Sequence, residues 1–439
     1  MNHIDLKIEH AFIVTVNQSD DILYDATLCV QNGVIVAIGS YEEYKDISAD
    51  TIIDAQGNVV MPGLINAHTH AGMSIFRGMA DDLPLQTWLN DYIFPTEAQF
   101  CTRENVTIGT QLSILEMIQG GITCFADMYY FEDTVAEICD TMGIRAVLAQ
   151  AIIDFPSPDF ENPHKALESL DKTISLYKNN SRISVIPGPH SPYTCSLKIL
   201  QQARTLANKH NVPLHIHVSE TQHEYTQSLE KHSQTPIEYL AQHNIFSGKT
   251  IAAHCVYISE HDREILSQHK VGVVNNPQSN LKLISGIAPV PLMKEADIPV
   301  ALGTDSAVSN NSLDMFQEMK TAALIHKLNN ANPTVLPAKE IVRMATIDGA
   351  NVLGIDDKVG SLEIGKQADI IIININQPHL VPLYSIYSHI VYAMNRHDID
   401  TVFVDGVCLY QNKQFTLTDP LEVMINAQTI ANAIQEKHE

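Results

Sequence analysis

Eight apolar runs, each closed by a polar residue and followed by a stretch of helical spacing, constrain this fold more than any other feature. The runs are NVVMPGLINAHTH (58–70), GITCFADM (121–128), IRAVLAQAIID (144–154), ISVIPGPH (183–190), VPLHIHVSE (212–220), TIAAHCV (250–256), VGVVNNP (271–277) and IPVALGTDS (298–306). Between them lie segments such as ILEMIQG, LDKTISLYKN and LKILQQARTLANKH, whose apolar residues recur at helical intervals. Eight strand–helix units predict an α/β protein built as a (β/α)8 TIM barrel, with a doubly wound sheet as the competing arrangement. The polar residues favour the barrel. His68 and His70, Asp127, Asp154, His190, His217 with Glu220, His254 and Asp305 all fall where a run ends, and a barrel gathers those ends on one face.

The two chain ends have another rhythm. HAFIVTVN, ATLCVQNGVIVAIGS and TIIDAQGNVV near the start, and GSLEIGKQADIIIININ and DTVFVDGVCLYQNKQ near the finish, are strand-rich and broken by Asn-Gly, Gln-Gly and Asp-Gly pairs. Such pairs supply the positive φ angles of hairpin turns. Residues 1–60 and 361–439 are therefore expected to build one small composite β domain, with 61–360 forming the barrel. The stretch 220–240 is polar and His-rich, and is expected as a long surface excursion.

Composition narrows the partners. The formal net charge is −24 over 439 residues, which repels phosphate backbones and anionic membrane surfaces, so neither nucleic acid nor membrane is expected as a partner. No run reaches the roughly 20 apolar residues of a membrane helix. The seven cysteines are scattered, odd in number and without a CxxC pair, a usage that predicts reduced, buried thiols in a cytoplasmic protein. The first residues, MNHIDLKIEH, lack the apolar core of a signal peptide.

Residues i and i+2 of a strand point to one side, so His68 and His70 face together at the mouth of the barrel. Alone, an HxH is weak evidence, since two polar residues in a loop look the same. With His217 and Asp305 it becomes three imidazoles and one carboxylate, a zinc-type ligand set with room for a water whose pKa the metal lowers towards neutrality. Glu220, just beyond His217, is suited to move protons, and His254 to orient or polarise the resulting hydroxide. Zn2+ suits these ligands best, while Fe2+ or Mn2+ would fit the same set. His215 shares the face of His217 one layer deeper, where a hydrogen-bonded core histidine is expected. Asp127 and Asp154 are expected to cap helices, and Cys255 to pack. The fourth run, ISVIPGPHSPYTC, has no lysine, so a bridging carbamylated lysine is not expected and a single metal is.

The set PGLINAHTH, HVSE, AAHC, SNLKL (279–283) and GTDS, with the return Gly360–Ser–Leu362–Glu–Ile–Gly365–Lys–Gln–Ala368–Asp369, resembles the amidohydrolase superfamily over essentially the whole chain. That resemblance implies a barrel with a small β-sandwich made from both chain ends. Within the superfamily the chain is most similar to the 5-methylthioadenosine/S-adenosylhomocysteine deaminases, through Phe76–Arg–Gly–Met–Ala–Asp–Asp–Leu–Pro–Leu85, Trp88–Leu and Pro95–Thr–Glu97. The resemblance implies hydrolytic deamination of the adenine ring of a small nucleoside. Glu97 would bind the ribose hydroxyls and His190 would contact the nucleoside. Glu220 would protonate N1, and Asp305 would take and return the water's proton. It also implies a homo-oligomer. A related deaminase or chlorohydrolase acting on a guanine, pterin or triazine ring is the alternative. Trp88 reads equally as an apolar lid over the 5′ substituent or as a core anchor. Residues 152–164 contain no arginine to meet a homocysteine carboxylate, which favours methylthioadenosine, adenosine or 5′-deoxyadenosine. Asn275, where relatives often have His, is expected to tune substrate fit.

Overall fold

The structure, a computed structural model, describes residues 3–79, 81–83 and 87–438, the side chains of 88–90 and 438 excepted. The first strands are β1 (His3–Val14), β2 (Ile22–Gln31), β3 (Val34–Ser40), β4 (Ser48–Asp54) and β5 (Val59–Pro62). The last are β14 (Ile370–Ile373), β15 (Ile399–Val404), β16 (Val407–Gln411) and β17 (Gln414–Phe415). They form one sheet in the order β17-β16-β15-β14-β5-β1-β2-β3, with β4 parallel to β1 beside this path. The Asn-Gly and Asp-Gly signals are its hairpin turns. Asn32 and Gly33 join β2 to β3, Asp405 and Gly406 join β15 to β16, and all four have positive φ as a tight two-residue turn requires. The join between the chain ends is the antiparallel pairing of β5 with β14, Val60 opposite Ile372.

The strands between them are β6 (Leu64–Thr69), β7 (Ile122–Tyr129), β8 (Arg145–Ile152), β9 (Ile183–Pro189), β10 (Leu214–Val218), β11 (Thr250–His254), β12 (Gly272–Asn275) and β13 (Val300–Leu302). Seven lie within their apolar runs, and β7 runs one residue past its own, to Tyr129. They form two parallel sheets, β6-β7-β8-β9 and β10-β11-β12-β13. Backbone hydrogen bonds cross both seams: His217 N–H donates to the His190 carbonyl at 3.0 Å, and Asp305 N–H to the His68 carbonyl at 2.9 Å. The strands alternate as parallel strands with two buried faces must. Ile65, Ala67, Cys124, Ala126, Val147, Ala149, Ile251, Val274 and Ala301 share one buried cluster. Their neighbours Leu64, Phe125, Leu148, Ala252 and Val273 belong to the cluster that includes the surrounding helices. Helices fill the connections, among them Arg103–Gln119, Leu197–His210 and Met315–Asn329. The stretch 220–240 is not an open excursion. It holds helices Gln222–His232 and Pro236–Gln242, started by Thr221 and Thr235 caps, signals a polar composition conceals.

At the foot of β8, Arg145 ties the two parts together. It is 2% exposed and grips Asp369 of the Gly360–Asp369 return through Nε at 2.8 Å and Nη2 at 2.9 Å, while Nη1 donates to the Ser181 carbonyl at 2.7 Å. Asp369→Ala leaves this guanidinium buried with only Asp405, at 3.5 Å, as an acidic neighbour. A loss of about 3 kcal/mol is expected, read from urea-unfolding midpoints; an unchanged midpoint would show that the pair does not secure the junction.

Candidate active site

Strand β6 reaches the site through a slip in register. Its pairing with β7 advances three residues, Asn66 to Thr69, against two on the partner, Phe125 to Asp127. A bulge of this kind re-aims side chains, and here it delivers both His68 and His70 inward. Across the seam, Asn66 donates to Thr304 Oγ1 at 2.7 Å and accepts the Thr304 N–H at 2.9 Å. Gly303 lets the backbones approach: a Cβ there would meet Asn276 Oδ1 at 2.5 Å and the His68 backbone at 2.9 Å. Asp305 follows with φ +59°, a left-handed turn that points its carboxylate at the histidines.

Four donor atoms converge. Asp305 Oδ1 lies 3.1 Å from His70 Nε2 and 3.6 Å from His68 Nε2, and His70 Nε2 lies 3.4 Å from His217 Nε2. Ligands about 2.1 Å from a tetrahedral ion sit about 3.4 Å apart, so this spacing fits a transition-metal ion. The orientation of the rings fits as well. His70 Nδ1 donates to the Met128 carbonyl at 2.5 Å and His217 Nδ1 to the His190 carbonyl at 2.8 Å, which leaves both Nε2 lone pairs free for the ion. His68 Nδ1 lies 3.1 Å from His215 Nε2, and His68 Nε2 is fully buried with no hydrogen-bond partner. A buried nitrogen without a partner is costly, and a metal ion in the cluster would meet it.

The electrostatics agree. Burial holds His68 down to about 4 and His217 well below the usual imidazole value, so both are neutral, as ligands must be. Burial also opposes charge on His70, but the bond to Asp305 and its charge outweigh that and raise His70 to about 9. Burial likewise opposes charge on Asp305, yet His68 and His70 hold it well below the carboxylate range. The site thus favours one positive charge beside Asp305. Asp305 Oδ2 accepts Ser279 Oγ at 2.6 Å and Ser309 Oγ at 3.1 Å.

The remaining expected residues surround this centre. A ring nitrogen of His254 lies within 4.8 Å of ring nitrogens on His68 and His217, and its Nε2 lies 3.8 Å from Glu220 Oε2. Its Nδ1 faces the side-chain amides of Asn280 at 2.9 Å and Asn276 at 3.3 Å. Glu220 Oε1 accepts Ser285 Oγ at 3.2 Å. His190 stacks obliquely on His217 with ring centres 4.8 Å apart, and burial lowers it to about 4. Glu97, on helix Phe94–Phe100, accepts the Tyr129 hydroxyl at 2.6 Å, and the Tyr129 ring stands 6.4 Å from that of His70. Burial raises the Glu97 pKa against the pull of that hydroxyl. The Trp88 side chain lies outside the described residues.

Other expectations divide. His215 is fully buried and hydrogen-bonded, as expected, but its partner is His68, a candidate ligand. Cys255 packs in the core. Asp127 and Asp154 cap, though not the helices that directly follow them. Asp127 takes the Ala71 N–H at 2.7 Å, and Asp154 the Ser196 N–H at 2.5 Å. Asn275 does not tune the substrate site. It points outward, with Oδ1 3.5 Å from His326 Nε2 on Met315–Asn329, because the inward residue of β12 is Val274. Tyr129, Ser279, Asn280 and Ser309 went unrecognised as site residues in the sequence. Ser279 and Asn280 lie in the SNLKL motif, which carried a signal. Tyr129 lies one residue beyond the second apolar run.

The amidohydrolase family model matches residues 59–409. The 5-methylthioadenosine/S-adenosylhomocysteine deaminase of Syntrophobacter fumaroxidans is 41% identical over 432 residues, 98% of each chain. The 5′-deoxyadenosine deaminase of Methanosarcina acetivorans is likewise 41% identical over 98% of each chain. Among solved structures, an adenosine deaminase from Xanthomonas campestris with bound zinc superposes with a TM-score of 0.97 at 34% identity, covering 99% of each chain.

His215→Phe keeps the ring volume and removes the partner of His68 Nδ1. Metal affinity should fall roughly 10- to 100-fold, measured by competition with a chromophoric chelator. An unchanged affinity would mean that packing alone orients His68.

Proposed function

The chain belongs to the amidohydrolase family, and from that membership we propose that it hydrolytically deaminates the adenine ring of 5′-modified adenosines, giving the inosine product and ammonia. It is a metal-dependent hydrolase acting on a cyclic-amidine C–N bond. One observation carries the reading: His68, His70, His217 and Asp305 converge with metal-ligand spacing, while Glu220, His254 and Glu97 stand outside that set. Three imidazoles and a carboxylate suit zinc best.

When bound, the metal supplies the Lewis acidity that brings a coordinated water's pKa towards neutrality. Asp305 accepts the proton of the attacking water, with Oδ2 held by Ser279 and Ser309, and returns it to the departing ammonia. Glu220 delivers a proton to N1, so that the ring can take up the charge of attack at C6. His254 directs the attacking oxygen. Glu97 accepts the ribose hydroxyls, for which a carboxylate is well matched, and His190 packs on the nucleoside. Trp88 is assigned to the 5′ substituent on its sequence stretch alone, with a core anchor as the equal alternative.

The substrate range follows from the loop after β8. It carries Asp154, Asp159 and Glu161 and no arginine, and Asp159 already receives the Phe131 N–H, Gln150 Nε2 and Ser157 Oγ. A homocysteine carboxylate finds acids there, which favours methylthioadenosine, 5′-deoxyadenosine and adenosine over S-adenosylhomocysteine. The fold reading has the two parallel sheets closing as a (β/α)8 barrel over 61–360, supported by the two seam bonds. Residues 1–60 and 361–439 then form a β-sandwich domain, supported by the pairing of β5 with β14. The cysteines, all free, support a cytoplasmic setting.

A substrate panel with metal-loaded enzyme tests this reading through ammonia release and the adenine-to-hypoxanthine absorbance change. The three small adenosines should turn over well, S-adenosylhomocysteine poorly and guanine not at all. Turnover of guanine, a pterin or a triazine in preference to every adenosine would overturn the assignment. Glu97→Ala should raise KM for nucleosides by about tenfold or more, the loss of a charged hydrogen bond of roughly 1.5–3 kcal/mol. Glu220→Gln should lower kcat by about 10²–10⁴ with zinc content unchanged.

A further inference from the structure

Glu224 is buried, takes no part in the chemistry above and stands in the first turn of Gln222–His232. With Thr221 as N-cap, the sequence Thr–Gln–His–Glu looks like an ordinary capping box. The short bonds go elsewhere. Glu224 Oε1 accepts the Ser219 N–H at 2.8 Å, and Oε2 accepts the Glu220 N–H at 2.8 Å. The carboxylate therefore holds two successive amides just upstream of the helix, and the second belongs to Glu220 itself. Thr221 Oγ1 fixes Glu224 in turn by accepting its N–H at 3.1 Å.

The clamped turn is strained and shared. Ser219 has φ +55°, and His254 and Cys255 have φ +76° and +47°, conformations that cost free energy in residues with a Cβ and persist only when their surroundings enforce them. The Ser219 carbonyl accepts the Val256 N–H at 2.9 Å and the Tyr257 N–H at 3.0 Å, and Cys255 N–H donates to the Val218 carbonyl at 3.1 Å. One short run of backbone thus braces the turn that carries Glu220 and the turn that carries His254. Burial pushes the Glu224 pKa up to about 7, against the pull of the Ser219 and Glu220 amides. A carboxylate kept at that cost has amides to hold that an apolar side chain could not.

We propose that Glu224 is a positioning residue for the reaction: its carboxylate clamps the Ser219 and Glu220 amides, aims the Glu220 side chain at the substrate ring and, through the Ser219 carbonyl, steadies His254. This rests on the reading of Glu220 as the proton donor. It assigns the second glutamate of HVSETQHE a role in geometry, with no contact to substrate or metal.

The experiment is steady-state kinetics of the metal-loaded full chain on methylthioadenosine, with zinc content and Tm measured alongside. Glu224→Gln keeps one acceptor oxygen and turns an NH2 towards a backbone N–H. It should lower kcat roughly 10- to 100-fold, as a misaimed catalytic group does, with KM within about twofold and zinc stoichiometry intact. In a Glu220→Gln background the same change should cost several-fold less than in the wild type, since the group it chiefly aims is gone and only its hold on the His254 turn remains. Thr221→Ala loosens the clamp more gently, should give a smaller kcat loss at constant KM, and decides the matter if Glu224→Gln does not fold. Wild-type kcat in Glu224→Gln, or undiminished additivity with Glu220→Gln, overturns the proposal. Full activity in Glu220→Gln alone would instead overturn the proton-donor reading.

Discussion

Everything at the centre of this molecule depends on bringing four polar candidate ligands, His68, His70, His217 and Asp305, into a largely buried space. His68 and His215 are fully buried, and His217 and Asp305 are 6% exposed. Such burial is unfavourable for each group alone. It is met by division of labour on each ring: one nitrogen bonds to the scaffold and the other faces the centre. The scaffold partners are the carbonyls of Met128 and His190 and the ring of His215. Met128 and His190 belong to strands or strand ends beside the histidine they hold, and His215 reaches His68 from β10 across the cluster, so the strands set the tautomers as well as the positions. The cluster therefore depends on the strand arrangement as a whole, and the Asn66–Thr304 and His68–Asp305 bonds across the seam keep β6 and β13 in register.

The groups proposed to handle protons are mounted differently. The candidate histidine ligands sit on strands or at their ends. Asp305, His254 and the peptide before Glu220 all lie on or next to residues of positive φ. A strand end in ordinary extended conformation would send these side chains along the alternating pleat, out to the helices or in to the cluster. A left-handed residue breaks the alternation and opens a third direction, across the mouth. The strain is repaid by bonds that only this conformation allows, such as the two amides on the Ser219 carbonyl and the paired amides on Glu224.

Much of this was legible in the sequence because it follows period-two alternation and the positions where apolar runs stop. All eight central strands fall on their runs, β7 passing its end by one residue, and the side chains of His68, His70, His217 and Asp305 converge from the run ends. What escaped depends on contacts between distant segments. Asn275 was expected to tune substrate fit because relatives often have His there, yet alternation from Val274 sends it to His326. The bulge in β6 cannot be read from LINAHT, since it is defined by pairing against β7. Asp127 and Asp154 were recognisable as capping residues, but which helix each caps is fixed by neighbours 56 and 42 residues away in sequence. The helices within 220–240 were hidden by polarity, although Thr235 and Glu238 form a complete capping box.

The same reasoning explains why a strongly acidic chain can host this chemistry. Excess negative charge disfavours a second buried carboxylate near the centre, and a carboxylate that remains there must be matched by cations or donors. Asp305 is matched by His68, His70, the Ser306 amide and two serine hydroxyls. Glu97 has the Tyr129 hydroxyl, and Glu224 has two backbone amides. None of the three relies on Lys or Arg. At Glu97 and Glu224 neutral donors hold the carboxylate in place without cancelling its charge, while Asp305 faces the one positive charge that its histidines favour. Arg145, the fully paired guanidinium, sits at the opposite ends of the strands, where the task is to join Asp369 to the foot of β8 and no proton has to move.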